Sequence, residues 1–196
     1  MTALPAYVPS RSMVGPNAVI QLAGALRDAD GLDGARRVFG ASGVLDLLVA
    51  PPREMVDETV ASGLFDALWR TFPSDRASKI AWEAGRRTAD YVIANRIPRP
   101  VRWIFALLPT RPACRLLLKA IERNAWTFVG SGTCTVRTGP VPSIEIENNP
   151  LAMPDCAWHC AVFTRMFQRL VSADARVDHA NARRGNADIC VFDIRF

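Results

Sequence analysis

The feature that most constrains this chain is a change of texture at Trp126. Before it, apolar residues recur at helical spacing between proline and glycine breaks. Gly15-Pro16-Asn17 opens a first helix with Asn17 as a plausible N-cap, and Asp30-Gly31 stops it. A second short helix covers Leu32 to Phe39 and ends near Gly40 or Gly43. Val56, Val60, Leu64, Leu68 and Phe72 fall four residues apart, widened by Phe65 and Trp69, until Pro73 intervenes. Ser74 then caps a long helix to about Asn95. Its Ala77, Ala81, Ala84, Gly85 and Ala89 let another element approach closely. Two more helical stretches lie near Val101 to Leu108 and Pro112 to Arg123.

From Trp126 onward, residues alternate. Trp126 to Val129 is rich in β-formers, and Thr133 to Val136 resumes the alternation after Gly130-Ser131-Gly132. Ser143 to Glu147 follows, then one amphipathic helix from about Cys156 to Val171. Two strands, Arg176 to Arg183 and Asp188 to Phe196, close the chain around Arg184-Gly185-Asn186. The reading is an α+β fold, with helices first and a mostly antiparallel sheet with one crossing helix last.

With 196 residues and 49% hydrophobic content, the chain suits one domain with a real core, assigned to residues 15–196 behind a flexible segment at 1–14. Met1 to Ser12 lacks the basic start and apolar middle of a signal peptide, and no stretch reaches the roughly 20 apolar residues of a membrane span. A cytoplasmic protein is the expectation. Its five cysteines, Cys114, Cys134, Cys156, Cys160 and Cys190, form no CxxC pair and read as reduced thiols. The net charge of +5 is carried almost wholly by arginine, a bias that favours anionic partners or reflects coding composition alone. Nucleic acid is not indicated, since no basic block alternates with aromatics. Arg99 to Arg123 mixes Arg102, Arg111, Arg115, Lys119 and Arg123 with Trp103, Phe105 and several leucines. That blend suits either peripheral contact with anionic lipid headgroups or ordinary amphipathic helices with a solvated basic face.

The most informative stretch is Pro154 to Phe163. On a helix capped by Asp155, Cys156, His159, Cys160, Phe163 and Phe167 share one face, and His159 is the lone polar ring in an apolar stripe. Three readings stand. His159 is a core histidine bonded to a carbonyl; or it contacts a ligand, as axial donor to a metal chelated in a macrocycle flanked by Trp158 and Phe163; or it joins Cys156 and Cys160 in a zinc site, against which three ligands so close on one helix count. Cys156 at a helix start is either an acidic, reactive thiol or a small buried filler. His179, on a strand beside charged residues, is expected to be exposed. No GxGxxG follows a strand, and Gly130-Ser131-Gly132 reads as a bulge or turn; P-loop and GxSxG motifs are absent.

Several blocks in order resemble the bacteriochlorophyll-biosynthesis protein J family, whose members carry the name bacteriochlorophyll 4-vinyl reductase (8-vinyl in current ring numbering). They are Gly15-Pro16-Asn17-Ala18, Met55-Val56-Asp57-Glu58, Glu83-Ala84-Gly85 with Thr88-Ala89-Asp90-Tyr91, and Ala94-Asn95-Arg96-Ile97-Pro98. Ala125-Trp126-Thr127-Phe128 with Gly130-Ser131-Gly132, and Cys156-Ala157-Trp158-His159 with Ala161-Val162-Phe163, complete the set. The resemblance implies the ligand-binding fold of heme nitric-oxide sensors and vesicle-tethering subunits: helices on a four-stranded antiparallel sheet, often dimeric, with a pocket between them. It implies a Mg-tetrapyrrole ligand of Mg-protoporphyrin or protochlorophyllide type and bacteriochlorophyll-pathway enzymes as partners, with no intrinsic cofactor. Trp126, Phe128, Trp158 and Phe163 would then give apolar contact beside Cys156, His159 a polar or axial contact, and Arg96 or a neighbouring arginine would meet a propionate. Either the chain carries the pigment to pathway enzymes, or it reduces the vinyl group, which needs a hydride source the sequence does not display. The wider group's Cys-rich ending is reduced here to Cys190, so the resemblance carries no metal or redox role to that end.

Overall fold

A computed structural model describes residues 12–196. Most of the leading segment, residues 1–11, therefore lies outside the described residues. Met13 and Val14, assigned to that segment from sequence, form strand β1 (Met13–Val14) and pair antiparallel with β2 (Val56–Asp57). The backbone N–H of Gly15 donates to the Thr127 carbonyl at 2.7 Å, so the fold is already tied to its second half there.

Helix α1 (Asn17–Ala41) breaks where Asp30-Gly31 predicted it, since Asp30 (φ −145°) and Gly31 (φ +69°) leave helical geometry. Glycine takes the positive φ without the side-chain penalty other residues incur. Arg37 and Arg76 both donate to the Asp30 carboxylate and fix the bend. Pro16, not Asn17, holds the N-cap position, and the Asn17 side chain instead accepts from Gln21. Helix α2 (Glu58–Thr71) is capped by Asp57, whose carboxylate accepts the Thr59 N–H at 2.9 Å. Helix α3 (Ser74–Asn95) starts after Pro73; α4 (Arg99–Leu107) and α5 (Thr110–Arg123) start after Pro98 and Pro109.

Trp126 to Val129 is a correction. Ala125–Thr127 forms a 3-10 turn, not a strand, and Gly130 (φ +53°) carries the chain onward. β-Propensity is outweighed there by the local turn, closed by Phe128 and Val129 N–H groups donating to the Ala125 carbonyl. Four strands remain: β3 (Thr133–Arg137), β4 (Ser143–Glu147), β5 (Arg176–Arg184) and β6 (Ala187–Arg195). They form one antiparallel sheet in the order β3-β4-β6-β5, with Ile146 opposite Cys190, Ile144 opposite Phe192 and His179 opposite Phe192. Alternation then puts Ile144, Ile146, His179, Cys190, Phe192 and Ile194 on one face. The opposite face carries Glu145, whose carboxylate pairs with Arg137 at 2.6 Å and Arg184 at 2.9 Å.

Helix α6 (Ala157–Leu170) crosses the apolar face of the sheet, and α3 lies along its other side between α6 and α1. The small residues of α3 make this possible. A Cβ on Gly85 would lie 2.2 Å from the Trp158 carbonyl oxygen, so only glycine permits the approach. The two helices run in the same direction: Ser78 donates to Asp155 at one end, and Arg165 donates to Asp90 at 2.8 Å at the other. Glu83 accepts from Arg86 and Arg87 in the same ion-pair ladder. Mainly through its bond from Arg86, the Glu83 carboxyl is pulled down to about 2, despite partial burial.

Candidate functional site

Helix α6 places His159 against the sheet, with none of its surface exposed. Four aromatic rings enclose it. Trp158 stands edge-on at 4.8 Å between centroids, Phe192 of β6 lies at 5.7 Å, Phe163 at 5.9 Å and Phe128 at 6.2 Å. Neither ring nitrogen of His159 meets a hydrogen-bond partner. Burial pushes its pKa down to about 3, and the backbone of Phe128 offsets only part of that. The imidazole is thus neutral at ordinary pH, with a lone pair no neighbour uses. With the Phe128 backbone as its nearby polar group, this geometry is compatible both with a core histidine and with a ligand contact.

The cage is filled by side chains as it stands. Trp158 and Phe163 ride on α6 and Phe192 on β6, while Phe128 comes from the loop after the 3-10 turn and is only half-buried. Phe128 is therefore the wall residue that a helix or strand does not hold. An open cleft of about 320 Å³ lies beside this region, lined by Phe65, Trp69, Arg70, Met153 and Pro154. Phe65 links it to the cage through a ring contact with Trp158 at 6.1 Å.

Two expected ligand contacts fall elsewhere. Trp126 is 61% exposed on the 3-10 turn and stacks on none of the cage rings. Arg96 is exposed at the C-cap of α3. Gly85 marks where α3 meets Trp158, and Arg96 lies eleven residues on, roughly 16 Å along a helix rising about 1.5 Å per residue. Sequence reasoning missed Phe192, because its contact with His159 depends on how α6 packs across β6.

A second cluster sits one turn away. Cys156 precedes α6 in left-handed backbone (φ 45°, ψ 32°), while Asp155 accepts the Ala157 N–H at 3.1 Å. The Cys156 sulfur lies 3.4 Å from that of Cys190, and Asn149 donates to Cys190 at 3.5 Å. His179 completes the group, and the ligand atoms of Cys156, His179 and Cys190 all lie within 4.8 Å of one another. His179 is not exposed as expected: it is half-buried, its Nε2 is buried without a partner, and its ring lies 5.1 Å from Phe192. The missed signal was alternation, since Val177 and His179 share the inward set opposite Arg176 and Asp178.

The thiols bear on the two readings of Cys156. The Cys156 thiol is held up, first by its hydrogen bond to Cys190 and then by burial. The Cys190 thiol is drawn down chiefly by that same bond, with help from His179 and Asn149 against burial. Buried and held up in this way, Cys156 fits the buried-filler alternative and not the reactive thiol. Cys160 is buried, and burial raises its thiol to about 12. The Cys156-His159-Cys160 zinc set is replaced by one that draws its imidazole and second sulfur from the sheet.

Comparison with known proteins places this geometry. No family model matches the chain. It is 37% identical over 187 residues to the bacteriochlorophyll synthase 23 kDa chain of Cereibacter sphaeroides, covering 92% of this chain and 89% of that one. It is 35% identical over 196 residues to the protein of the same name from Rhodobacter capsulatus, covering 97% and 90%. The chain belongs to the bacteriochlorophyll synthase 23 kDa chain family. Among solved structures, family resemblance gives way to shared fold alone. A variant H-NOX domain of T. tengcongensis superposes with a TM-score of 0.61 at 12% identity, covering 94% of this chain and 97% of that one. An H-NOX variant from K. algicida gives 0.58 at 9% identity, covering 93% and 97%. The expected relation to the heme nitric-oxide-sensor fold therefore holds for this 23 kDa chain family member. No helix of the described residues is long and apolar enough to cross a membrane.

Proposed function

We propose that this protein works in bacteriochlorophyll biosynthesis as a carrier that binds a Mg-tetrapyrrole intermediate and presents it to a pathway enzyme. The observation that carries the reading is His159: fully buried, neutral, ringed by aromatics and without a hydrogen-bond partner at either nitrogen. A chelated Mg ion accepts an axial lone pair of this kind, and edge and face contacts from Trp158, Phe163 and Phe192 suit a flat macrocycle. Exclusion of water around His159 favours such a bond over hydration. Entry of the ring requires the wall to part, and Phe128, on its loop, is the residue placed to move. Cys156 lines the neighbouring end of the same helix face.

The names of the two relatives support a synthase-type enzyme as partner. Helix α4 leaves Trp103 and Leu107 largely exposed beside Arg99 and Arg102, which supports peripheral contact with an anionic membrane. Vinyl reduction is the alternative reaction. Against it stands the Gly130-Ser131-Gly132 turn: the Ser131 N–H and hydroxyl both donate to the Glu58 carboxylate, at 2.6 and 2.9 Å, so a nucleotide phosphate would have to displace an acid there.

The test is a titration of the purified chain with Mg-protoporphyrin and with divinyl protochlorophyllide, read by absorbance and fluorescence with and without NADPH. Saturable binding, with a spectral shift lost in His159→Ala and a vinyl signature that NADPH leaves intact, is the expected result. Loss of the vinyl signature on adding NADPH overturns the carrier reading in favour of reduction. Equal spectra and affinity for wild type and His159→Ala overturn the axial assignment.

A further inference from the structure

We propose that Cys156, His179 and Cys190 form a zinc-class metal site, separate from the tetrapyrrole site and independent of that reading. The three donors come from three elements: the residue before α6, strand β5 and strand β6. Their ligand atoms already lie within 4.8 Å of one another, and the two sulfurs are 3.4 Å apart. With Zn–S near 2.3 Å in tetrahedral geometry, two zinc-bound sulfurs are about 3.8 Å apart, so a few tenths of an ångström of opening admits the ion.

The polar accounting supports the same site. His179 Nε2 is buried with no hydrogen-bond partner, although the residues that follow it on its strand, Ala180 to Arg184, are all exposed. Asn149 donates its side-chain N–H to the Cys190 sulfur at 3.5 Å, the kind of outer contact that steadies a metal-bound thiolate. The donor set also selects the ion. Two thiolates and a neutral imidazole cancel a divalent charge, which suits a site whose sulfurs are buried, whereas a monovalent cation would leave one negative charge there. Three protein ligands leave a fourth position for water or a small ligand.

The experiment titrates the reduced full-length chain with Zn²⁺ against a chromophoric chelator, and with Co²⁺ as spectroscopic probe. The expected result is one equivalent of metal, with a thiolate-to-cobalt charge-transfer band of tetrahedral intensity. Cys190→Ser, Cys156→Ser and His179→Gln each weaken zinc binding by about 100-fold or more. Asn149→Ala keeps every ligand and weakens it about 10-fold, in the range for outer-shell contacts. It also keeps the proposal testable should the ligand variants fail to fold. Cys160→Ser and His159→Ala retain full binding. The proposal is overturned if the reduced chain takes up no stoichiometric metal, if Cys160→Ser or His159→Ala abolishes uptake, or if Asn149→Ala and Cys190→Ser both bind like wild type.

Discussion

Toward α3, helix α6 closes backbone to backbone over glycine and alanine, and Glu83, Arg86, Arg87, Asp90 and Arg165 along the seam are ion-paired. Toward the sheet, the same fourteen-residue helix meets bulky rings, and His159 is left without hydrogen bonds. The first side is held by close packing and ion pairs; the second leaves a buried imidazole unpaired. Each buried polar group without a partner costs about 1–3 kcal/mol, so the sheet side gives up stability that the α3 side supplies. Rigid packing on one side is thus the support for unspent chemical capacity on the other.

Breaking the α3 side should cost most. Gly85→Val forces α3 off the Trp158 carbonyl, and we expect a loss of about 3 kcal/mol or more in denaturant unfolding. A wild-type midpoint would mean the seam is looser than its geometry. The sheet side should respond in the opposite direction. His159→Phe removes two unpaired nitrogens from an aromatic cage and is expected to stabilise the fold by about 1–2 kcal/mol while abolishing pigment binding. Destabilisation there would show that the imidazole has a partner after all.

The two sides also separate by pH. His159 titrates near 6.5 when unfolded and about 3 when folded, so the unfolded chain binds the extra proton between those values. Stability must therefore fall as pH drops below about 6.5, and His159→Phe should flatten that limb. Glu83, depressed from 4.5 to about 2, contributes stability above the higher value that is lost as pH falls toward the lower. Being partly solvent-exposed, it is worth about 1 kcal/mol, and Glu83→Gln should remove only this later, smaller loss. Unfolding midpoints measured from pH 7 to pH 3 distinguish the two variants, and identical profiles would erase the distinction.

Local signals made much of this fold legible in the sequence. The break at Asp30-Gly31, the start of α3 after Pro73 and the Arg184-Gly185-Asn186 turn rest on backbone preferences that short peptides already carry, whereas α4 and α5 begin two residues before the expected Val101 and Pro112. The small residues of α3 announced a close neighbour, and the lone histidine in the α6 stripe announced the cage. What stayed hidden is non-local. Cys156 and Cys190 are separated by 34 positions and meet only where α6 packs on β6, and that packing together with the β5–β6 register brings Phe192 under both histidines. Trp126 to Val129 failed for the opposite reason: a strong β composition was overridden by a single local turn.

The placement of β6 has one more consequence. A slip of one residue against β4 would turn Cys190, Phe192 and Ile194 outward and present Val191, Asp193 and Arg195 to helix α6. An acid and a guanidinium would then lie on the apolar side of the sheet, while a thiol and a phenyl ring faced water. No neighbouring alignment of this strand is tolerable, so the aromatic cage around His159 and the thiol pair assemble in a single event, and neither exists in a chain that has only half of it.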